Sequence, residues 1–252
     1  LPAAMVAPTP VSALLHAVAV VKAGVFSVLK VTVFTFGVEN LFSNGASQFA
    51  MYIAAITIVV ASIVALKQDN IKRMLAYSTV SQLSYIVLAA MIVNTTSIIG
   101  STMHIASHAF GKITLFFCAG AIYVASGKTE ISQIKGIGKV MPWTMAAFTI
   151  GSLSIIGLPP TGGFISKWFI LLAAIQNEEF IILLVLIIST LLSAAYLLPV
   201  IYAAFFQTSV SKFEHSEAPI AILIALGVSV SLIFLLFLFP NPIYEIAKLI
   251  GT

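Results

Sequence analysis

Residues 157–163 read Gly157-Leu-Pro-Pro-Thr-Gly-Gly163 and interrupt an apolar run that extends from residue 141 to residue 175. The two prolines have no backbone N–H, and the glycines adopt non-helical dihedral angles at little cost. If lipid surrounded such a break, backbone polar groups would lack hydrogen bonds, so protein or a water-filled cavity must cover it. We therefore expect a membrane-spanning helix that is broken at Gly157, Pro159, Pro160, Gly162 and Gly163.

The composition of the whole chain agrees with a location in the membrane. Of 252 residues, 60% are hydrophobic and 8% are charged, and the mean hydropathy is +1.13. Soluble domains carry about 25% charged residues, so we predict an integral membrane protein. The net charge of +4 indicates an uneven distribution of basic residues between loops rather than a surface for nucleic acid. The single cysteine, Cys118, excludes a disulfide within the chain.

Seven apolar stretches are long enough to cross a bilayer, which requires about 20 helical residues. They comprise residues 11–37, 47–66, 73–93, 98–125, 141–175, 180–206 and 219–239. The fifth of these stretches contains the break. We therefore predict an all-α integral membrane fold with about seven transmembrane helices, in a single membrane domain over residues 1–252.

The charged residues between these stretches predict the orientation in the membrane. Lysine and arginine occur in every second loop, at residues 67–73, 126–140 and 207–218, whereas the intervening loops carry glutamate or no charge. Positively charged loops remain on the cytoplasmic side of a bacterial inner membrane. This rule places residue 1 on the cytoplasmic side and the C-terminus outside.

Ionisable side chains inside the apolar stretches are all bases. There are six of them: His16, Lys22, His104, His108, Lys112 and Lys167. An ionisable group within a bilayer costs at least a few kcal/mol, so such residues usually face an interior path and carry function. No aspartate or glutamate falls in the middle of a stretch. Because sodium and calcium sites require hard oxygen ligands, usually carboxylates, protons are the ion that this set of residues favours.

Three of the bases share one helical face in the fourth stretch, which contains His104-Ile-Ala-Ser-His108-Ala-Phe-Gly-Lys112. At this spacing they rotate by only about 80° over about 12 Å of helix axis. Histidine titrates near neutral pH, and burial favours the neutral form of lysine, as a water-bridged proton relay requires. Two alternatives stay open. One is zinc binding, although no third ligand is evident, and the other is a pair of histidines hydrogen-bonded within a helix bundle.

The other candidate residues lie in the fifth, first and third stretches. Lys167 follows the break by a few residues, and transporters use the half-helix ends of such breaks to handle ions. The alternative for Lys167 is a side chain that extends to the membrane surface. His16 and Lys22 are six positions apart, so they face different sides of a straight α-helix. Ser78 and Gln82 predict contacts between helices or support for a chain of water.

Taken together, these motifs resemble the proton-translocating antiporter-type subunit family. This family includes the large membrane subunits of respiratory complex I and of the Mrp-type multisubunit Na+/H+ antiporters. The matching segments are Leu1 through His16, Asn70-Ile-Lys-Arg-Met-Leu-Ala-Tyr-Ser-Thr-Val-Ser-Gln82, His104 through Lys112 and Gly157 through Lys167, in the order of the family. The resemblance covers nearly the whole chain, and residues 7–26 are most similar to the D-type subunits of the bacterial antiporters.

The resemblance implies an architecture and a role for each base. Members of the family have two inverted repeats, each with a broken helix, and this chain would contain the second repeat. The glutamate–lysine pair of the first repeat would lie upstream of Leu1, so the chain would be a fragment or a split gene product. Lys22 with His16 would connect the half-channels, the bases of the fourth stretch would form the central relay, and Lys167 would stand at the outlet.

On this basis we expect a membrane subunit that relays protons as part of a multisubunit monovalent cation/proton antiporter, with other membrane subunits as partners. A proton-pumping membrane subunit of an NADH–quinone oxidoreductase is the alternative. The chain has no nucleotide, flavin or iron–sulfur motif, so we expect no cofactor and no metal in it. Two further classes are a structural membrane scaffold and a retinal-type receptor. The receptor is disfavoured because no carboxylate counter-ion lies in mid-membrane.

Overall fold

A computed structural model describes residues 1–37, 40–41, 45–208 and 217–251, with the backbone alone at residues 15–17 and 251. The described residues are helical or form short connections, and their only β-type pairing is an isolated bridge between Asn70 and Glu130. The prediction of an all-α fold is therefore confirmed. The parts of the predicted loops at residues 38–39, 42–44 and 209–216 lie outside the described residues.

The first predicted stretch is helical but not a regular α-helix. After a 3-10 turn at Pro2–Val6, residues 9–36 comprise α1 (Thr9–Val11), a π-helical segment, α2 (Val20–Lys30) and a second π-helical segment. Hydrogen bonds in a π-helix run from residue i to i+5, which changes the rotation per residue. The angle expected for a straight α-helix therefore does not apply between His16 and Lys22. The side chain of His16 lies outside the described residues.

Among the described residues, five helices are long and apolar enough to cross a membrane. They are α3 (Ala46–Leu66), α4 (Ile71–Ile92), α5 (Thr95–Ser126), α8 (Phe180–Phe206) and α9 (Ile220–Leu238). Their ends differ from the predicted stretches by at most three residues, the largest difference being Thr95 against a predicted start at 98. The predicted total of seven spans also counts the first stretch, at residues 11–37, and the broken fifth stretch.

The predicted break is present and divides the fifth stretch into α6 (Pro142–Ile156) and α7 (Gly162–Gln176). Gly157 ends α6 with a φ of +89°, in the left-handed region that favours glycine. The N–H groups of Gly157 and Leu158 both donate to the carbonyl of Leu153, at 2.9 and 3.0 Å. The carbonyl of Leu153 is thus satisfied locally, and the carbonyls nearer the end of α6 remain for other donors.

Helix α5 is the centre of the molecule and packs against α4, α6, α7 and α9. Its start is fixed by a capping box, in which the Ser97 N–H donates to Oδ1 of Asn94 at 2.6 Å and the Asn94 N–H donates to the Ser97 hydroxyl at 3.2 Å. Such reciprocal bonds satisfy donors that a helix start otherwise leaves free. Because helices pack against α5 on several sides, its three bases are surrounded by other helices rather than by lipid.

A last helix, α10 (Asn241–Gly251), follows α9 and has no counterpart among the predicted stretches. Its buried Ala247 packs with Ile99 and Met103 of α5, and its Tyr244 ring lies 5.8 Å from the ring of Phe169 on α7. The helix is too short to span a bilayer and includes Glu245 and Lys248. A search for long uncharged runs therefore does not detect it.

Candidate functional site

Five of the six predicted bases have described side chains, and the structure buries all five. The exposed fraction is 8% for Lys22, 2% for His104, 1% for His108, 0% for Lys112 and 5% for Lys167. Lys22, Lys112 and Lys167 also lie close enough to His108 for their charges to act on it. The fold therefore gathers residues from α2, α5 and α7 into one electrostatic cluster, which we call the buried base cluster.

Lys167 lies across the break in the helix. Its Nζ donates to the backbone carbonyls of Ile155 at 2.8 Å and Ile156 at 3.1 Å. The last carbonyls of a helix have no partner within the helix, and a positive charge at this end also interacts favourably with the helix dipole. Lys167 thus holds the end of α6 from the following half-helix. It does not extend to the membrane surface, so the alternative considered from the sequence is wrong.

Two glycines make this contact possible. A Cβ atom on Gly157 would lie 2.7 Å from Cδ of Lys167, and a Cβ atom on Gly163 would overlap the backbone carbonyl oxygen of Ser154. Any larger residue at 163 would force the two half-helices apart, because the atom it meets belongs to the backbone. The glycines of the break are therefore required by the close approach of α6 and α7.

An aromatic side chain connects Lys167 with the histidines of α5. Nζ of Lys167 lies 4.9 Å from the ring centroid of Tyr85, within the range of a cation–π contact. The ring of Tyr85 lies 5.9 Å from the ring of His104, and that of His104 lies 5.9 Å from the ring of His108. Tyr85 is held in place by a hydrogen bond from its hydroxyl to the carbonyl of Leu186, at 3.2 Å.

Hydroxyl groups provide a second connection between α5 and α7. Nδ1 of His104 lies 2.9 Å from the hydroxyl of Ser166, which lies 3.0 Å from the hydroxyl of Ser107. Ser166 immediately precedes Lys167, so the histidine is bonded to the same turn of α7 that carries the lysine. A hydroxyl can donate and accept at once, so Ser166 can bond to the histidine and to a second partner together.

The remaining histidine nitrogens are buried without a protein partner. Nε2 of His104 and both ring nitrogens of His108 have no hydrogen bond to any residue that the structure describes. Buried polar atoms are normally paired with protein or with ordered water, so these nitrogens can serve a water-bridged relay. Within the described ranges, no group of three or more histidine, cysteine or acidic residues could hold a metal ion. The zinc alternative thus finds no third ligand there.

Lys112 belongs to a separate network of side chains. Its Nζ donates to the carbonyl of Leu75 at 3.0 Å and to the hydroxyl of Ser78 at 2.7 Å. The hydroxyl of Tyr196 donates to the same Ser78 oxygen at 2.8 Å and lies 3.2 Å from the hydroxyl of Ser193. Of the two polar side chains that the sequence assigned to contacts between helices, Ser78 therefore bonds directly to a central base, whereas the Gln82 amide donates to the hydroxyl of Ser193 at 3.5 Å.

Sequence reasoning missed several members of this site. Ser107 and Ser166 lie inside the motifs that contain the bases, but nothing in the sequence singled them out. Tyr196 and Ser193 lie on α8, one of the two most apolar of the described helices. A signal was available there, because Ser189, Ser193 and Tyr196 are spaced by four and three residues and so share one face of the helix. A polar face within an apolar helix indicates a buried contact.

Acidic residues are placed away from the buried base cluster. Those that the structure describes lie in the connections between helices or in α10: Asp69, Glu130, Glu178, Glu179, Glu217 and Glu245. The described part of the cluster therefore consists of bases and neutral polar groups. Such a set can exchange protons but offers no carboxylate ligands for a sodium ion.

Comparison with known families identifies this arrangement. A family described as NADH:quinone oxidoreductase/Mrp antiporter, transmembrane, matches residues 1–193. The chain belongs to this family. Membership and the five apolar helices together make it an integral membrane protein, and they confirm the relationship expected from its motifs.

Individual relatives and solved structures give the same result. The chain is 37% identical to NADH-quinone oxidoreductase subunit N of Desulforudis audaxviator over 213 residues, which are 84% of this chain and 42% of that protein. It is also 37% identical to NADH-quinone oxidoreductase subunit L of Rickettsia typhi over 222 residues, which are 87% of this chain and 33% of that protein. The chain thus spans 42% and 33% of the length of these two relatives.

The fold is shared with membrane subunits in large assemblies. A chain of the Mrp complex from Dietzia sp. DQ12-45-1b superposes with a TM-score of 0.81 at 17% identity, over 91% of this chain and 50% of that chain. A chain of respiratory complex I from Thermus thermophilus superposes with a TM-score of 0.78 at 23% identity, over 89% of this chain and 48% of that chain. At these identities the likeness establishes the fold, which is the antiporter-like fold expected from the sequence.

Proposed function

We propose that this chain relays protons through its buried base cluster, together with His16, as part of a membrane subunit of a multisubunit monovalent cation/proton antiporter. One observation carries the proposal: Lys167 is held by the carbonyls at the break, beside the hydroxyls and rings that connect it to His104. A buried lysine with only neutral partners, within reach of a histidine, has the chemistry of a group that gains and loses a proton.

The physical basis of the relay is repulsion among like charges. The charges of Lys22, Lys112 and Lys167 all act on His108, and no described carboxylate lies among them. A proton that arrives at one base therefore disfavours a proton on the next one. This coupling favours stepwise movement of protons from Lys22 through the bases of α5 to Lys167. His104 and Ser166 provide the last connection to Lys167.

A second candidate assembly is an NADH–quinone oxidoreductase, in which the same relay would belong to a proton pump. The observation that favours it is the 37% identity to subunits N and L of that enzyme. In both assemblies we propose that residues 1–252 form one membrane domain without a cofactor of its own. Other membrane subunits would be its partners, and redox chemistry or a sodium site would belong to them. A bacterial inner membrane, with residue 1 on the cytoplasmic side, fits the loop charges.

Lys167→Ala in the full-length protein tests the relay. With the variant in its assembled complex, reconstituted into liposomes that contain a pH-sensitive dye, we expect proton flux to be lost while the subunits still co-purify. Lys30→Ala is the matched control, because Lys30 is an exposed lysine of α2 and its loss should leave flux unchanged. Normal flux in Lys167→Ala would overturn the role proposed here. Co-purification with a quinone-reducing arm would decide for the second assembly.

A further inference from the structure

A cavity opens on the loop face that carries most of the lysine and arginine residues. Its volume is about 340 Å³, and its lining includes Lys67, Gln68 and Asp69 in the connection between α3 and α4. Lys67 and Asp69 are exposed, so this part of the cavity is accessible to solvent. The other lining residues include Tyr196 and Pro199 of α8, of which Tyr196 is buried in the helix bundle and Pro199 is exposed.

The cavity is directly connected to the buried base cluster by hydrogen bonds. Tyr196 lines the cavity although only 3% of its surface is exposed. Its hydroxyl donates to Ser78 at 2.8 Å, and Ser78 also accepts from Nζ of Lys112 at 2.7 Å. Two hydroxyl groups therefore separate the cavity wall from a titratable base in the middle of α5.

The backbone of α8 adds a polar group to the same wall. Pro199 lies inside the helix and has no N–H, so it cannot form the usual hydrogen bond to the carbonyl of Ala195. Ala195 and Pro199 both line the cavity. With the charged and amide groups of residues 67–69, this carbonyl gives the cavity the several polar partners that ordered water needs. The rest of the lining, which includes Ala65, Leu66, Met74 and Ile131, is apolar, so the polar part of the cavity is the part formed by residues 67–69.

We propose that this cavity is a proton access route from the positively charged loop face to Lys112, and that Tyr196 is a relay residue in it. This inference rests on the proposed function. A hydronium ion that enters the cavity from the loop face gives a proton to the hydroxyl oxygen of Tyr196 and becomes water, while the tyrosine's own proton moves to Ser78. Ser78 in turn passes its proton to the neutral amine of Lys112. Each hydroxyl regains the proton that it gives up, and Lys112 becomes an ammonium group.

Tyr196→Phe tests the route in the assembled complex reconstituted into liposomes. The substitution removes one oxygen and keeps the ring in place, and positioned proton-transfer groups typically contribute about 100-fold or more to a rate. We expect proton flux to fall at least about tenfold while the complex stays assembled. Tyr202→Phe is the control, because Tyr202 lies on the same helix with 57% of its surface exposed and its change should leave flux unaltered.

Comparison with Lys112→Ala separates failure of the route from failure of the function. Wild-type flux in Tyr196→Phe together with lost flux in Lys112→Ala overturns the route and leaves the relay in place. Wild-type flux in Lys112→Ala overturns the relay itself at this base. Lost flux in both variants, with the control unaffected, supports the route.

A cysteine placed in the cavity wall gives an independent measurement that does not depend on Tyr196. A charged, water-soluble thiol reagent added from the loop face should modify Ala195→Cys and then block flux. Leu198→Cys lies on the same helix with 45% of its surface exposed and does not line the cavity, so its modification should not change flux. Full modification of Ala195→Cys with unchanged flux would contradict the route.

Discussion

The two buried lysines on either side of His108 are held in opposite ways. Lys167 donates to two backbone carbonyls at a break in a helix, whereas Lys112 lies within an unbroken helix and donates to the hydroxyl of Ser78 and to one carbonyl. The position of Lys167 thus depends on the path of the backbone. The position of Lys112 depends in part on side chains from α4 and α8.

This difference has a consequence for proton transfer. A carbonyl oxygen accepts a hydrogen bond but has no proton to pass on, whereas a hydroxyl does both. Lys167 must therefore exchange protons through other neighbours, and the hydrogen-bonded pair of Ser166 and His104 is the candidate on the same turn of α7. Lys112 can exchange protons through Ser78 itself. The break thus holds the amine of Lys167 in place, whereas the hydroxyl network provides a path for protons to Lys112.

The largest effect is expected where the backbone itself is changed. Gly163→Ala would place a methyl group on the carbonyl oxygen of Ser154, and since a backbone atom cannot rotate away, α6 and α7 must separate. We expect most of the assembled protein to be lost, as measured by size-exclusion chromatography after detergent extraction. Gly227→Ala on α9 is the control, because no atom lies within 4 Å of its added Cβ. Normal assembly of Gly163→Ala would show that the packing at the break is looser than described.

The next effect concerns the residues between the two lysines. The double variant His104→Gln and His108→Gln keeps polar side chains of similar size but removes both imidazole rings, which can take up and release a proton. We expect proton flux through the assembled complex to be nearly abolished with assembly retained. Unchanged flux would instead support the alternative in which both histidines only stabilise the helix bundle.

A smaller effect is expected in the hydroxyl network. Ser78→Ala removes the side-chain acceptor of Lys112 and leaves the carbonyl of Leu75 in place, so the lysine keeps one partner. We expect flux to fall by less than in Lys112→Ala, measured in the same liposome assay. Ser84→Ala is the control on the same helix, because its hydroxyl bonds only within α4, to the carbonyl of Val80 at 3.0 Å. A larger loss in Ser84→Ala than in Ser78→Ala would contradict the network.

Most of the fold and the bases of the site could be predicted from the sequence. Helix positions follow from the length of apolar runs, and the break at Gly157 follows from the backbone chemistry of proline and glycine. The cost of burying a charge identified Lys112 and Lys167. All of these signals are local, because each depends on a residue and its neighbours along the chain.

What could not be predicted depends on contacts between distant segments. Tyr196 reaches Ser78 over 118 positions of sequence, and this contact depends on the rotation of α8 against α4. The carbonyl partners of Lys167 depend on the direction in which the chain leaves the break. The π-helical segments around α2 are also absent from the hydropathy pattern, which is the same for regular and widened helices.

The most direct test of the relay is proton flux through the assembled complex with Lys167→Arg. The guanidinium group can still donate to the carbonyls of Ile155 and Ile156, but it does not release its proton at accessible pH. If Lys167 functions by gaining and losing a proton, the complex should assemble normally and proton flux should be lost. Wild-type flux in the arginine variant would show that a fixed positive charge at the break is sufficient, and it would contradict the central claim.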